Sequence, residues 1–252
     1  MKDFTAIIVA AGMGVRMGPR GRLMPKGLIE VGGSPMVAQS LDTLRAAGID
    51  CVRIVTGHLD EQYREAFGTA SGVELIHNPL YSTTGSLRTL ATALEGITGP
   101  IVLLESDLIY APEGLEAALT GGNVLVTSGP TGAGDEVYVW TQPGGALADI
   151  SKDPAARPEP PFGELVGITA LDADSVVLMR DVAEEVLAET PAEHYEAGLV
   201  ALGQRVPVPC VRIDDLPWAE VDDETMLSHA EREVYPKVAA ARAARMAGSR
   251  LA

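Results

Sequence analysis

The chain has 252 residues, of which 46% are hydrophobic and only 4% aromatic, and its formal net charge is −16. This length is enough for one large α/β domain or for one domain with an insert, and aliphatic side chains would fill the core. The negative charge repels nucleic-acid phosphates and anionic membranes, which excludes both as large partners, so any phosphate ligand needs a local cationic pocket.

The two cysteines and the amino-terminal segment add only constraints. Cys51 and Cys210 lie in apolar runs without metal-ligand spacing, so we interpret them as buried free thiols. The first apolar run is too short for a membrane span and lacks the layout of a signal peptide. We therefore expect a cytoplasmic protein.

Short apolar runs alternate with helical patterns over the first 107 residues. The predicted strands are 5–10, 28–31, 51–56, 73–77 and 100–105, and the predicted helices are 36–47, 60–67 and 87–94. This alternation predicts a Rossmann-like, doubly wound and mostly parallel sheet. Such sheets bind ligands at the carboxyl ends of their strands, so we expect the site in the loops after Ala10, Thr56, His77 and Glu105.

The pattern changes after residue 110 and predicts a small α+β portion. Its predicted elements are strands 123–128, 136–140, 147–151, 165–170 and 208–213, helices 174–188, 193–202 and 224–246, and loops 153–164 and 217–223. We interpret 1–237 as a single domain with halves 1–110 and 111–237. A helical or frayed tail is expected at 238–252.

The most informative segment is IIVAAGMGVRMG, followed by MPKGLIEV. Glycine lets the backbone approach a phosphate, and successive N–H groups form an anion cradle. Arg16 and Lys26 are the cations that would neutralise a triphosphate and the charge developing at its α-phosphorus. The loop has neither the Walker A ending nor the G-x-G-x-x-G spacing, and an ordinary glycine turn is the alternative. The candidate nucleotide-binding residues here are Ala10, Ala11, Gly12, Met13 and Gly14.

With this signature, the chain resembles the nucleotidyltransferases of the sugar-1-phosphate type over roughly residues 5–237. The resemblance implies a Rossmann-like fold and a single displacement in which Arg16 and Lys26 bind the triphosphate and the transition state. Two departures stand out, an arginine-rich loop at 18–22 and Ser106 where the family often has Asp or Gly.

Two acidic positions are candidate Mg²⁺ ligands. Asp107 follows the strand PIVLLE, and a carboxylate at such a strand end can hold Mg²⁺ against phosphate oxygens, although a helix cap or turn is the alternative. The segment WAEVD at 218–222 resembles the W-x-E-[IV]-D pattern of the family's cytidylyltransferase branch, which includes phosphocholine and phosphonate cytidylyltransferases. The resemblance makes Asp222 the second ligand, while Asp223 fits a helix cap. It assigns no role to Glu105.

Two further groups of residues are assigned to the substrates. The resemblance places the loop NPLYSTTGS against the nucleobase, with an ordinary helix-capping loop as the alternative. Carboxylates and an aromatic face would suit a cationic acceptor end, and a lysine would suit an anionic one. The candidates are Asn78, Thr84, Gly85 and Ser86 for the base, and Glu136, Lys152, Glu164, Glu196 and Trp218 for the acceptor.

The resemblance thus implies a Mg²⁺-dependent cytidylyltransferase that moves CMP from CTP to a small acceptor and releases pyrophosphate. The expected acceptor is a phosphonate, such as 2-aminoethyl- or 2-hydroxyethylphosphonate, or a phosphocholine-like molecule. One alternative is a sugar-1-phosphate uridylyl- or thymidylyltransferase, and another is an inactive nucleotide-binding regulatory module. A homodimer is left open.

Overall fold

The computed structural model describes residues 4–249 of the chain. The strands are β1 (Thr5–Ala10), β2 (Glu30–Val31), β3 (Ser34–Pro35), β4 (Cys51–Thr56), β5 (Val73–His77), β6 (Ile101–Glu105), β7 (Leu108–Tyr110), β8 (Val124–Ser128), β9 (Tyr138–Thr141), β10 (Leu147–Ser151), β11 (Gly163–Leu171), β12 (Cys210–Ile213) and β13 (Trp218–Glu220).

Helices cover both faces of the resulting sheet, and two more α-helices follow the last strand. The α-helices are α1 (Pro19–Leu23), α2 (Met36–Ala46), α3 (Asp60–Phe67), α4 (Ser86–Leu94), α5 (Pro112–Ala118), α6 (Ala173–Glu189), α7 (Tyr195–Gly203), α8 (Glu224–His229) and α9 (Tyr235–Ser249). Short 3₁₀ turns lie at Val15–Met17 and Lys26–Leu28, and a π-helical turn at Ala230–Val234 joins α8 to α9. Within residues 4–249, no helix combines the length and apolarity that a membrane span requires.

The central sheet has nine strands, and its middle is parallel. The order β6–β1–β4–β5 is parallel throughout, whereas β11 joins the other side of β6 in the antiparallel direction and carries β8 and β9. The predicted Rossmann-like, largely parallel fold is therefore confirmed. Because β11 lies beside β6, one sheet continues from the amino-terminal half into the carboxyl-terminal half.

Alternating apolar residues explain why helices cover both faces of the sheet. In β1, Ile8 packs with α2, α3 and α5 in one core cluster, whereas Ile7 packs with α4, α6 and α7 in another. Successive side chains of a strand point to opposite faces, so a continuous apolar run needs a helical layer on each side. A third cluster lies under α8 and α9 and includes Met17 and Val221. The expectation that both cysteines are buried is wrong, because Cys51 is exposed and Cys210 is half-buried, although both are free thiols.

The predicted loop 217–223 is wrong in part, because β13 lies within it. This strand pairs antiparallel with β7, with Trp218 opposite Tyr110 and Glu220 opposite Leu108. A three-residue strand leaves no periodic pattern in the sequence, and its partner is more than 100 residues away, so only the folded chain shows the pair. The pairing brings the carboxyl-terminal acidic segment to Asp107, whose carbonyl accepts from Val221 N at 3.0 Å.

Other boundaries differ by a few residues. The predicted strand 28–31 is a 3₁₀ turn followed by β2, and the predicted strand 208–213 begins at Cys210. The predicted helix 224–246 is found as α8, the π-helical turn and α9. The tail expected at 238–252 is helical to Ser249, and residues 250–252 lie outside the described part of the chain.

Gly167 gives β11 room beside the end of β6. Its φ is +79°, and a Cβ atom added there would lie 2.6 Å from Glu105 Oε2. The ladder between β11 and β8 also shifts register between Leu165 and Thr169, as expected for a bulge. Glycine at this point therefore allows the Glu105 carboxylate to lie against the neighbouring strand.

We predict that Gly167→Ala destabilises the protein more than an alanine substitution at another left-handed glycine that has free space around it. Gly122 is the matched control, because its φ is +80° and nothing lies within 4 Å of an added Cβ. Left-handed backbone strain should cost about 1–2 kcal/mol in both variants. The contact with Glu105 should cost Gly167→Ala about 1–3 kcal/mol more. Urea unfolding measures the difference, and equal losses would contradict the close packing.

Candidate active site

A cavity of about 410 Å³ opens where β1 and β6 end. This is the edge of the sheet at which doubly wound proteins bind ligands, and the volume lies in the range of small-molecule sites. Its walls contain many of the residues predicted from the sequence, namely Ala10, Ala11, Gly12, Met13, Arg16, Lys26, Thr84, Gly85, Ser86, Asp107, Lys152 and Glu196. Segments far apart in the chain therefore meet around one space.

Lys26 lies at the centre of the charged part of the cavity. Its ammonium group forms ion pairs with both Asp107 and Asp222, and all three side chains are largely buried. Burial by itself lowers the pKa of Lys26, but the charges of Asp107 and Asp222 outweigh it and hold this pKa well above the usual range. The lysine is therefore a fixed positive charge. Gly14 lies behind it, since a Cβ on Gly14 would be 3.2 Å from Lys26 Cγ.

A second group of carboxylates faces the same space. Oxygen atoms of Glu105, Asp107 and Glu220 lie within 4.8 Å of one another. Burial, followed by the charge of Asp107, raises the pKa of Glu105 to about 8, and burial with the charges of Glu105 and Asp107 raises the pKa of Glu220 to about 11. Three carboxylates this close together, one buried and two half-buried, repel one another unless a cation or a proton joins them. Their oxygens are the donors that a hard divalent cation takes, so the cluster fits one.

Glu105 and Glu220 were not assigned a role from the sequence, although a signal for them exists. Glu105 precedes Asp107 by two residues, and Glu220 precedes Asp222 by two residues. In an extended segment, residues two apart share a face, so each E-x-D pair can present both carboxylates to one space. The predicted ligands Asp107 and Asp222 both contact Lys26, and it is Glu105 and Glu220 that complete the carboxylate cluster with Asp107.

Arg16 stands at the other side of Asp222. Its guanidinium forms ion pairs with Asp222 and with Asp135, and its side chain is half exposed. Asp135 also accepts a hydrogen bond from Lys152 Nζ at 2.7 Å. The predicted triphosphate ligand Arg16 is thus connected to Lys152, the predicted acceptor ligand, through Asp135.

The loop assigned to the nucleobase is split between two roles. Asn78 is buried and does not line the cavity, because its amide donates to Thr89 Oγ1 at 3.2 Å and its carbonyl oxygen accepts from Leu80 N at 3.0 Å. Thr84 and its neighbours Gly85 and Ser86 do line the cavity.

Gly85 and Ser86 also connect this loop, residues 78–86, to the start of α7. A Cβ on Gly85 would lie 2.1 Å from the carbonyl oxygen of Glu193, so the two backbones touch. Ser86 Oγ accepts from Tyr195 N at 3.0 Å, and the Tyr195 hydroxyl donates to Glu105 Oε1 at 2.8 Å. Contacts thus run from the loop of residues 78–86 to the carboxylate cluster.

The five acceptor candidates are distributed over two cavities. Lys152 and Glu196 line the main cavity, whereas the other three line a second cavity of about 260 Å³ that shares Val137, Leu165 and Glu220 with it. The three residues in the second cavity are Glu136, Glu164 and Trp218.

Two of the three carboxyl-bearing candidates already accept hydrogen bonds from the segment between β8 and β9. Glu164 accepts from Thr131 N and from Thr131 Oγ1, the latter at 2.7 Å. Glu136 accepts from Gly134 N at 3.0 Å. These two carboxylates therefore shape the segment between β8 and β9, and Glu196 is the candidate carboxylate at the main cavity.

The parallel sheet, the glycine loop and the charged cavity together define a nucleotidyltransferase. Residues 6–247 match the family model of the MobA-like NTP transferase domain, and the chain belongs to this family. The resemblance to nucleotidyltransferases that the amino-terminal signature indicated is therefore confirmed.

Known proteins similar to the chain include two curated relatives and a solved structure. The CMP-5'-(3-aminopropyl)phosphonate synthase of Streptomyces rubellomurinus is 31% identical over an alignment of 237 residues, which covers 86% of this chain and 37% of that protein. The 2-aminoethylphosphonate cytidylyltransferase of Lancefieldella rimae is 33% identical over 109 residues, which are 43% of this chain and 44% of that protein.

The chain thus spans less than half the length of each of these two relatives. The solved CTP:phosphocholine cytidylyltransferase of Streptococcus pneumoniae has a TM-score of 0.75 at 17% identity, with 92% of this chain and 98% of that chain covered. At that identity the likeness concerns the fold.

We predict that Lys26→Met destabilises the folded protein strongly, because it leaves two buried carboxylates without their cation. Loss of one partner from a buried ion pair costs roughly 3 kcal/mol or more. The control is Arg205→Met, which removes a surface pair with Glu185 and should cost at most about 1 kcal/mol. Chemical denaturation in the absence of divalent cations measures both. Equal stability of the two variants would contradict the central role of Lys26.

Proposed function

We propose that the protein is a Mg²⁺-dependent cytidylyltransferase that transfers CMP from CTP to a small phosphonate and releases pyrophosphate. The observation that carries the proposal is the placement of Lys26 between Asp107 and Asp222, beside the cluster of Glu105, Asp107 and Glu220 at one cavity. A fixed positive charge next to a set of metal-binding carboxylates suits phosphoryl chemistry, in which positioning and electrostatics supply most of the rate.

The nucleotide would lie along the glycine loop. Backbone N–H groups after Ala10 can donate hydrogen bonds to phosphate oxygens, and Arg16 and Lys26 line the same cavity with positive charge. The segment from Thr84 to Ser86 stands at another wall of the cavity and is the part available to read the base. A site that hydrogen-bonds the cytosine amino group leaves its own groups unpaired with uracil, so CTP is preferred over UTP.

Glu105, Asp107 and Glu220 would hold the divalent cation, with Asp222 beside them through Lys26. When bound, the cation supplies positive charge against the phosphate oxygens. A phosphonate oxygen attacks the α-phosphorus and forms a new P–O bond. At the same time the bond between the α-phosphorus and the oxygen that bridges to the β-phosphate breaks, and pyrophosphate leaves with the electron pair. Lys26 stabilises the charge at the α-phosphate, and no covalent enzyme intermediate is needed.

The acceptor end of the cavity combines one cation with several carboxylates. Lys152 suits the phosphonate anion, and Glu196 suits an ammonium group. The two curated relatives bear the names of enzymes for aminoalkyl phosphonates, which supports an acceptor of the same kind. We therefore propose an aminoalkyl phosphonate such as 2-aminoethylphosphonate, with 2-hydroxyethylphosphonate and phosphocholine as weaker acceptors.

A pyrophosphate-release screen tests the proposal. CTP, UTP, dTTP, ATP and GTP are each combined with aminoalkyl and hydroxyalkyl phosphonates, phosphocholine and hexose 1-phosphates, with and without Mg²⁺. We expect CTP with an aminoalkyl phosphonate to give the highest kcat/KM, because a missing hydrogen-bonding group costs a fitted site several orders of magnitude. A best pair of UTP or dTTP with a hexose 1-phosphate would favour a sugar-1-phosphate nucleotidyltransferase. Pyrophosphate release in no combination would favour a nucleotide-binding module without activity.

Variants of the charged residues give a second test. Lys26→Ala should lower kcat by roughly 100-fold or more, since it removes a charge that acts on the transition state. Asp107→Asn should abolish Mg²⁺-dependent turnover, because an amide is a poor ligand for a hard cation. Asp222→Asn should abolish turnover as well, because an amide is a poor partner for Lys26. Asp149→Asn, which breaks an ion pair with Arg157, is the control and should retain activity. Full activity in any of the first three variants would exclude the role proposed for that residue.

A further inference from the structure

The segment between β8 and β9, residues 129–137, crosses from the sheet to the edge of the main cavity. We call it the β8–β9 loop. Glu164 on β11 is 5% exposed, and its carboxylate anchors the loop by accepting hydrogen bonds from Thr131 N and Oγ1. The Glu136 carboxylate closes a turn on Gly134 N. These contacts fix the loop on both sides of Asp135.

Asp135 uses its two oxygens for two cations from different parts of the fold. Oδ2 forms an ion pair with Arg16 Nη1, and Oδ1 accepts from Lys152 Nζ at 2.7 Å. The other terminal nitrogen of Arg16 contacts Asp222, which holds Lys26. Hydrogen bonds between charged groups are the strong ones. Asp135 is therefore a bridge between the cation beside the glycine loop and the cation that follows β10.

Both cations carry long side chains that Asp135 restrains. The Arg16 side chain is 53% exposed and the Lys152 side chain 58% exposed, whereas Asp135 is 26% exposed. An unrestrained arginine or lysine has many rotamers, and a substrate that orders such a side chain loses affinity to the entropy cost. A side chain that is already held in place avoids that loss of affinity. It also keeps the bound triphosphate and the acceptor anion aligned with each other.

We propose that Asp135 is a positioning residue for nucleotidyl transfer, which holds Arg16 and Lys152 at a set separation so that the triphosphate and the acceptor anion bind in line. The inference rests on the proposed function. It differs from simple charge balance, because the two explanations predict opposite changes in CTP binding when Asp135 is removed. An aspartate that only neutralised positive charge would weaken the binding of anions, and its removal would tighten the binding of CTP.

Steady-state kinetics of Asp135→Asn separate these explanations. This variant keeps the size of the side chain and removes its charge. We expect the KM for CTP and the KM for the acceptor both to rise, and kcat/KM to fall roughly tenfold or more, as for the loss of charge-assisted hydrogen bonds. Asp135→Glu should recover part of the loss. Calorimetric titration with CTP alone should show the same weakening without turnover.

The control is Asp149→Asn, since Asp149 is also partly exposed and also pairs with an arginine, Arg157, but lines neither cavity. It should leave both KM values unchanged. A purely structural role for Asp135 would lower the active fraction, which reduces kcat at unchanged KM and also lowers the melting temperature. Either that result or a lower KM for CTP would overturn the proposal.

A coupling measurement covers the case in which Asp135→Asn folds poorly. Lys152→Ala alone should weaken the binding of CTP as well as that of the acceptor, because it removes one of the two cations that Asp135 joins. Its effect should shrink in an Asp135→Glu background, where the bridge is already altered. Equal effects in the two backgrounds would overturn the inference. The unmodified chain in the same assay tests the proposed function itself, because an inactive chain would reject that function. An active chain whose KM values are unchanged by Asp135→Asn would reject only the bridge.

Discussion

The ion pairs of Lys26 with Asp107 and Asp222 are the contacts on which the rest of the site depends. They join three segments that lie far apart along the chain. Burying two aspartates without a cation would be unfavourable, so the lysine permits the acidic groups to lie together. The same charge faces the cavity, where it can meet phosphate oxygens. Stability and chemistry therefore rest on one side chain.

The acidic groups reach this point because two short strands pair. The β7–β13 ladder places Glu220 opposite Leu108 and delivers Val221 N to the carbonyl of Asp107. Backbone hydrogen bonds thus hold the two E-x-D segments side by side against the repulsion between their carboxylates. Gly167 allows Glu105 to remain at the end of β6, because any larger residue would occupy its space. The geometry that suits a divalent cation is built into the backbone.

The carboxyl-terminal half supplies the second side of the cavity through loops rather than through the sheet. Glu164 and Glu136 are acidic residues of the kind that would bind a cationic acceptor, yet their oxygens accept from the backbone of the β8–β9 loop. Their effect on the site passes through the loop that they shape, and Asp135 is the residue of that loop that meets Arg16 and Lys152. This side of the main cavity is therefore organised by contacts made away from it.

The sequence by itself determined the parallel centre of the sheet and the main cations of the site. Apolar runs of strand length with helical patterns between them are local signals, and the AAGMGVRM…PKGL signature names Arg16 and Lys26 without any tertiary information. Only the tertiary structure decided which carboxylates share the cavity. Asn78, Glu136, Glu164 and Trp218 have the residue types of a site but do not line the main cavity, whereas Glu105 and Glu220 do. The reason is physical: a side chain reaches a ligand through strand pairing and loop anchoring between residues far apart in the chain, and neither leaves a periodic trace in the sequence.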